Sequence, residues 1–319
     1  MRDMIPSVHH IKTMRDHQAL DVALSAMGDA GKYSSALSVA EQADERLRGL
    51  TPPPPYSVEI ARILDAGELP ADFTEWARIQ TGAEAVHETE RRALTALRDQ
   101  AAALCWNTFT VNAPEILGHL HRQLIECVEQ ARPAAEVLAT LPNAEAALRS
   151  GGDAVAAFGA VDVQWSNYLE IRKAQNKVML ECFDGTVRVD CRSRRCDDPD
   201  ADDCHFSNMD QLWPNWRKGG VPDNYTLVGN ESEQHNRMVQ PWPERGPLRF
   251  VWFINNGAEF WVPTERQIEG LRRWRINLQR EIELTRGPEW TRRGKNKHLG
   301  PEELRRAAWK NRPFMTIPA

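Results

Sequence analysis

No apolar run in this 319-residue chain approaches the ~18–20 residues that a helix needs to cross a bilayer. The opening Met1-Arg2-Asp3-Met4-Ile5-Pro6 leads into histidine and arginine instead of an apolar signal core, so the expectation is a chain made in the cytoplasm that does not meet the membrane. Also missing are the short motifs that announce a reaction. There is no G-x-S-x-G elbow, no Walker loop and no dinucleotide glycine fingerprint. His87-Glu88-Thr89-Glu90 has no second histidine four residues after the first and is not a zincin helix. Without such motifs the sequence points away from an enzyme. Lysine is scarce as well, at 8 residues against 32 arginines.

What is present is globular in balance, with 41% hydrophobic and 27% charged residues and enough length for one large domain or a few small ones. The net charge of −5 hides an asymmetry: residues 1–180 carry −7, residues 181–263 carry −5 and residues 264–319 carry +7. A basic end on an acidic body suggests an anionic partner: nucleic acid, an acidic protein surface or another copy of the chain.

The first 175 residues have helical periodicity. Val86, Ala93, Leu97, Ala101 and Leu104 recur at helical spacing and form one stripe; Ile116, Leu117, Leu120, Leu124 and Val128 form another; Val155, Phe158, Val161, Trp165 and Tyr168 form a third. A weaker helix is expected from about Tyr33 to Leu50, closed by the extended run Pro52 to Pro55. An antiparallel bundle over residues 1–175 accommodates these stripes.

From about residue 176 the pattern looks two-fold. Val178 to Phe183 and Thr186 to Cys191 flank Asp184-Gly185, and Phe250 to Asn255 and Ala258 to Val262 flank Asn256-Gly257, so both read as two-residue hairpins. The second would be aromatic on both faces and therefore has to be sandwiched, by its own domain or by a partner. Residues 264–319 return to helix, with Thr264 and Gln267 spaced as a capping box. The expected fold class is thus α+β: a helical bundle over 1–175, a Trp-rich antiparallel β region over 176–263 and a basic helical arm over 264–319.

Candidate chemistry clusters around the first hairpin. Cys191, Cys196, Cys204 and His205 are metal-ligand types that could hold zinc, although the Cys-x4-Cys-x7-Cys-His spacing lacks a tight knuckle. Cys182 and Cys191 would otherwise be small buried hydrophobes. The acidic run from Asp197 to Asp203 offers carboxylates for a divalent ion, but it lacks the glycine and the bidentate glutamate of a calcium loop and reads first as a solvated loop.

Eleven tryptophans, two patterned hairpins and opposed end charges suit a structural or assembly protein working by protein contacts, of which a bacteriophage virion or assembly component is one instance. Trp252, Trp261, Arg272, Arg273 and Arg280 are the contact candidates, since Trp and Arg anchor interfaces. No cofactor beyond zinc is implied. The alternatives are a zinc-stabilised nucleic-acid binder using the cysteine cluster and basic arm, and a metal-dependent hydrolase centred on Asp198, Asp200 and His205.

Overall fold

A computed structural model describes residues 6–141, 144–183, 204–212 and 246–285 of the chain. It divides into two compact units, Met1–Ala113 and Pro114–Ala319.

The first unit holds α1 (Val8–Thr13), α2 (Gln18–Ala26), α3 (Ala30–Gly49), α4 (Tyr56–Ala66) and the 39-residue α5 (Phe73–Val111). Asp72 starts α5, its carboxylate accepting from the amide of Glu75 at 2.9 Å and so satisfying one of the free N–H groups of the first turn. α3 and α5 run antiparallel. At one end Asn112 donates to Asp29 and the Cys105 thiol donates to the Tyr33 carbonyl at 3.3 Å; at the other, Arg46 pairs with Glu90 at 2.9 Å. Tyr33, Ala36, Leu37, Ala40 and Ala43 of α3 are buried together with Ala101, Ala102, Cys105, Thr108 and Phe109 of α5. Small residues on both sides let the two backbones approach closely.

The second unit is built on α6 (Ala113–Leu138) and α8 (Gly152–Cys182), with α7 (Ala144–Ser150) between them, followed by α9 (Met209–Leu212), α10 (Pro247–Asn255) and α11 (Glu265–Thr285). The stripe Ile116, Leu117, Leu120, Leu124 and Val128 is buried throughout, as its spacing predicts. The Cys127 thiol donates to the Gln164 carbonyl at 3.2 Å, and the Gln164 and Gln130 side chains meet at 3.0 Å, fixing α6 beside α8. The capping box is formed: Thr264 N–H donates to Gln267 Oε1 at 2.8 Å, and Gln267 N–H to Thr264 Oγ1 at 3.3 Å.

The expected α+β class is corrected. Among the described residues there is no strand or sheet, only an isolated antiparallel bridge between Phe206 and Phe260. Val178 to Cys182, expected as the first arm of a hairpin, form the last turns of α8; the apolar or buried positions 168, 171, 175, 178 and 182 continue at three- and four-residue steps, so the alternation seen locally is a fragment of a longer helical pattern. The expected second arm, Thr186 to Cys191, lies outside the described residues.

Phe250 to Asn255 are likewise helical. Pro247 opens the helix at its first turn, and Phe250, Val251, Phe253 and Ile254 are all buried. A continuous apolar run fits a buried helix as well as a strand, and the i, i+3, i+4 burial decides for helix here. The Asn256-Gly257 turn exists, with Gly257 at φ +72°, but it reverses the chain after a helix and leads into an extended segment instead of a second ladder strand. The turn chemistry is right; the elements on either side of it differ.

Candidate functional site

α8 carries two buried polar side chains on an otherwise apolar face, Arg172 at 4% exposure and Gln175 at 0%. They pin two extended segments to the helix. Arg172 Nη1 donates to Gln175 Oε1 at 2.6 Å and to the Trp261 carbonyl at 2.7 Å, while Nη2 donates to the His205 carbonyl at 2.8 Å. Gln175 Nε2 donates to the Cys204 carbonyl at 2.6 Å. The guanidinium also stands over the Tyr168 ring at 5.0 Å. No carboxylate among the described residues pairs with this cation, and its Nε has no hydrogen-bond partner. A charge buried on carbonyl oxygens and a ring face is held in place by the loss that any exit would bring, since the Gln175 and Trp261 oxygens would lose this donor and the His205 carbonyl would keep only Trp261 N–H.

The segments so pinned close on each other. Ser207 N–H donates to the Glu259 carbonyl at 3.0 Å and Trp261 N–H to the His205 carbonyl at 3.2 Å. Asn208 brackets the turn, donating to the Gly257 carbonyl and accepting from Glu259 N–H, both at 2.8 Å. Beneath them Phe206, Phe250, Phe253 and Phe260 form an aromatic cluster with Tyr168, the tightest pair being Phe206 and Phe253 at 4.2 Å between centroids. Val262 N–H donates to His121 Nδ1 on α6 at 3.3 Å.

The structure brings Cys204 and His205 to this latch through their backbone carbonyls. Burial first, then Arg172 and Arg249, pushes the His205 imidazole well below its usual range, so the ring is neutral. A neutral ring can ligate, but two neighbouring guanidinium groups oppose a cation arriving there. Cys191, Cys196, Asp198 and Asp200 lie outside the described residues, and no group of three metal-ligand side chains occurs among the described ones. Cys105 and Cys127 are pushed up to about 11 and Cys182 to about 12, each chiefly by burial, which keeps these thiols protonated and unreactive at neutral pH.

The contact candidates separate. Trp261 is buried and packs with Leu271 and Trp274, and Trp252 is partly buried on α10. Arg273 is exposed on α11; Arg272 and Arg280 belong to the same helix. The expected basic loop at 292–298 and the following helix lie outside the described residues. The aromatic side chains of the finger around residue 255 are therefore mostly covered within their own unit, with Trp252 partly exposed.

An uncovered apolar face lies elsewhere. On α5 the side turned to α3 is Ala101, Cys105 and Phe109; of the stripe that the spacing marks for burial Ala101 is covered, whereas Val86, Ala93, Leu97 and Leu104 stand exposed. Ile79 and Val111 extend it, Val86 and Val111 being 67% and 75% exposed. Gly82, Thr89, Gln100 and Asn107 flank it on one side, and Glu90, four residues after Val86 on its other side, pairs with Arg46. On a different face of the helix Glu88 bonds both Arg91 and Arg92. The sequence reading found the stripe from Val86 to Leu104 and missed that, among the described residues, most of it stays exposed. Compared with family models, curated proteins and solved structures, the chain matches none.

Proposed function

We propose that this protein works by protein–protein contact, as a structural or assembly component, and that α5 supplies the contact face. The observation that carries this reading is the aliphatic stripe Ile79, Val86, Ala93, Leu97, Leu104 and Val111 along one helix, exposed where large aliphatic side chains in register are normally covered. The backing fits the role, because α3 holds the neighbouring face of α5 from Glu90 to Cys105 and a pre-ordered face loses little entropy on binding. The other supports are compositional: opposed end charges and the absence of reaction motifs.

The test is affinity capture with the full chain from extract of the cells that make it, wild type against the double variant Leu97→Glu, Leu104→Glu. Retention of a stoichiometric protein, this chain or another, by wild type only is the expected result. Identical retention by both forms, or a wild-type chain that binds nothing and stays monomeric, overturns the reading.

A further inference from the structure

The extended segment 258–262, which leads into α11, is tied down by four backbone N–H donors, and one of them differs in kind. Ala258 N–H donates to the Phe253 carbonyl at 2.9 Å, Glu259 N–H to Asn208 Oδ1 at 2.8 Å and Trp261 N–H to the His205 carbonyl at 3.2 Å. Amide oxygens accept such bonds whatever the pH. Val262 N–H, the last donor before Pro263, goes instead to His121 Nδ1 on α6, at 3.3 Å the longest of the four. An imidazole accepts only while neutral; once protonated, both its nitrogens are donors and two N–H groups oppose each other.

This bond sits where α11 is fastened. Trp261 packs with Leu271 and Trp274 of that helix, whose Thr264–Gln267 cap begins two residues beyond Val262. The Trp261 carbonyl is held by Arg172 from α8. One helix therefore grips the strap through a cation and the other through a base.

We infer that protonation of His121 releases residues 261–262, and with them α11, while α6 and α8 stay packed, so that the fold carries a strap that acid opens. Release would free the start of the segment 264–319, which carries +7.

The charges around the ring favour release. Arg172 of α8 and Arg122 of its own helix act on His121, and both are cations. The His205 ring on the facing segment is neutral and is acted on by Arg172 and Arg249. His119 on α6 lies between Arg122 at 2.7 Å and Glu115 at 3.7 Å. Of the carboxylates on the strap and α11, Glu259 accepts from Ser207 Oγ at 2.6 Å and Glu265 acts on Cys182, and neither is among the charges acting on His121. A second positive charge beside Arg172 is relieved when the strap lifts and water enters. Protons have access, because His121 is half-buried.

Burial first, then Arg172 and Arg122, lowers the His121 imidazole below its usual value. With the strap open the ring returns toward ~6.5 and binds the proton more readily, so the strap is fully fastened above pH ~6.5 and loosens as pH falls, at most ~10-fold per unit. The α6–α8 contact rests on the Cys127–Gln164 and Gln164–Gln130 bonds and on buried aliphatics such as Leu120, Leu124 and Val161, none of which responds to pH in this range.

The test is native-state amide exchange of the full chain at pH ~7.5 and ~5.5, each rate divided by its unstructured value at the same pH. Protection at Val262 and from Ile268 to Trp274 should fall at least ~10-fold, within the ~100-fold that one proton allows, while Leu120 to Val128 and Val161 to Tyr168 change less than ~3-fold. His121→Asn, which keeps an acceptor near Nδ1 and takes up no proton, should hold Val262 level. A uniform loss across all helices is general acid weakening and overturns the inference, as does the same local loss in His121→Asn. Should that variant fail to fold, wild type decides: the titration of the His121 ring, followed by NMR, has to coincide with the loss of protection at Val262, and midpoints more than ~1 pH unit apart overturn the inference.

Discussion

Two apolar segments of this chain have opposite fates. Residues 250–262 carry aromatic and aliphatic side chains on every side, and the second unit encloses them, with Phe250 at 0% exposure and Trp261 at 4%. Residues 79–111 carry a narrower and more regular stripe, yet it stands open. The greasier segment is thus the covered one. Hydrophobic patterning tells which side chains will be buried at the end of assembly, but not whether the same chain supplies the cover.

The largest test of this contrast lies in the enclosed segment. Phe250 packs against Tyr168 at 5.0 Å and Phe260 at 5.6 Å between centroids, so Phe250→Ala should cost about 3–5 kcal/mol in denaturant unfolding. The helix puts Phe250 with Phe253 and Ile254, whereas a strand would put Phe250 with Trp252. Phe253→Ala should therefore be nearly as damaging and Trp252→Ala clearly milder. Equal and large losses at 250 and 252 with a mild one at 253 would return the segment to a strand.

Next comes the arginine that closes the enclosure. Arg172→Met keeps much of the packing volume but leaves the carbonyls of Trp261 and His205 without their shared donor, which should cost about 2–4 kcal/mol. Amide exchange should speed up first at Ser207 and Trp261, whose N–H groups bond within the latch. Unchanged exchange there would show that the aromatic cluster alone holds the segments down.

The pH response follows from His121. Burial, then the charges of Arg172 and Arg122, lowers its imidazole below the usual value, and its Nδ1 accepts from Val262 N–H, which requires the neutral ring. The unfolded chain, with an ordinary imidazole near 6.5, binds the proton more readily than the folded one. The stability is therefore complete above pH ~6.5 and lost as pH falls, by at most ~1.4 kcal/mol per pH unit per histidine. His205 is displaced in the same direction and adds to the slope. His121→Asn, which offers an acceptor near Nδ1, should flatten the dependence between pH 6.5 and 5, measured as unfolding midpoints in urea. A slope identical to wild type removes His121 from the account.

The sequence made some of this legible and hid the rest for identifiable reasons. The stripe from Ile116 to Val128, the α3 helix and the Thr264–Gln267 cap depend on contacts within a few residues, and each is found. The hairpins failed because short apolar runs carry two periods at once. Val178 to Cys182 alternate locally but continue α8, and Phe250 to Ile254 could satisfy either geometry until their cover was known. The Arg172–Gln175 latch was hidden because its acceptors are backbone carbonyls, which leave no trace in residue type. A pair of polar residues on the apolar face of α8 was the available signal. On α5 the stripe from Val86 to Leu104 was visible, but exposure is a property of the neighbours.

The smallest expected effect is the most telling one. Leu97 is 47% exposed on α5, so in dilute solution Leu97→Glu should change unfolding free energy by no more than about 0.5 kcal/mol. A residue whose spacing marks it for a core would then behave as a surface residue. The contrast reappears with concentration. A chain whose folded state alone binds a partner gains stability by mass action, so the wild-type melting temperature should climb as captured partner is added while that of Leu97→Glu stays level. A loss of 2 kcal/mol or more in the dilute monomer would mean that the chain covers its own stripe, and the difference between the two segments would vanish.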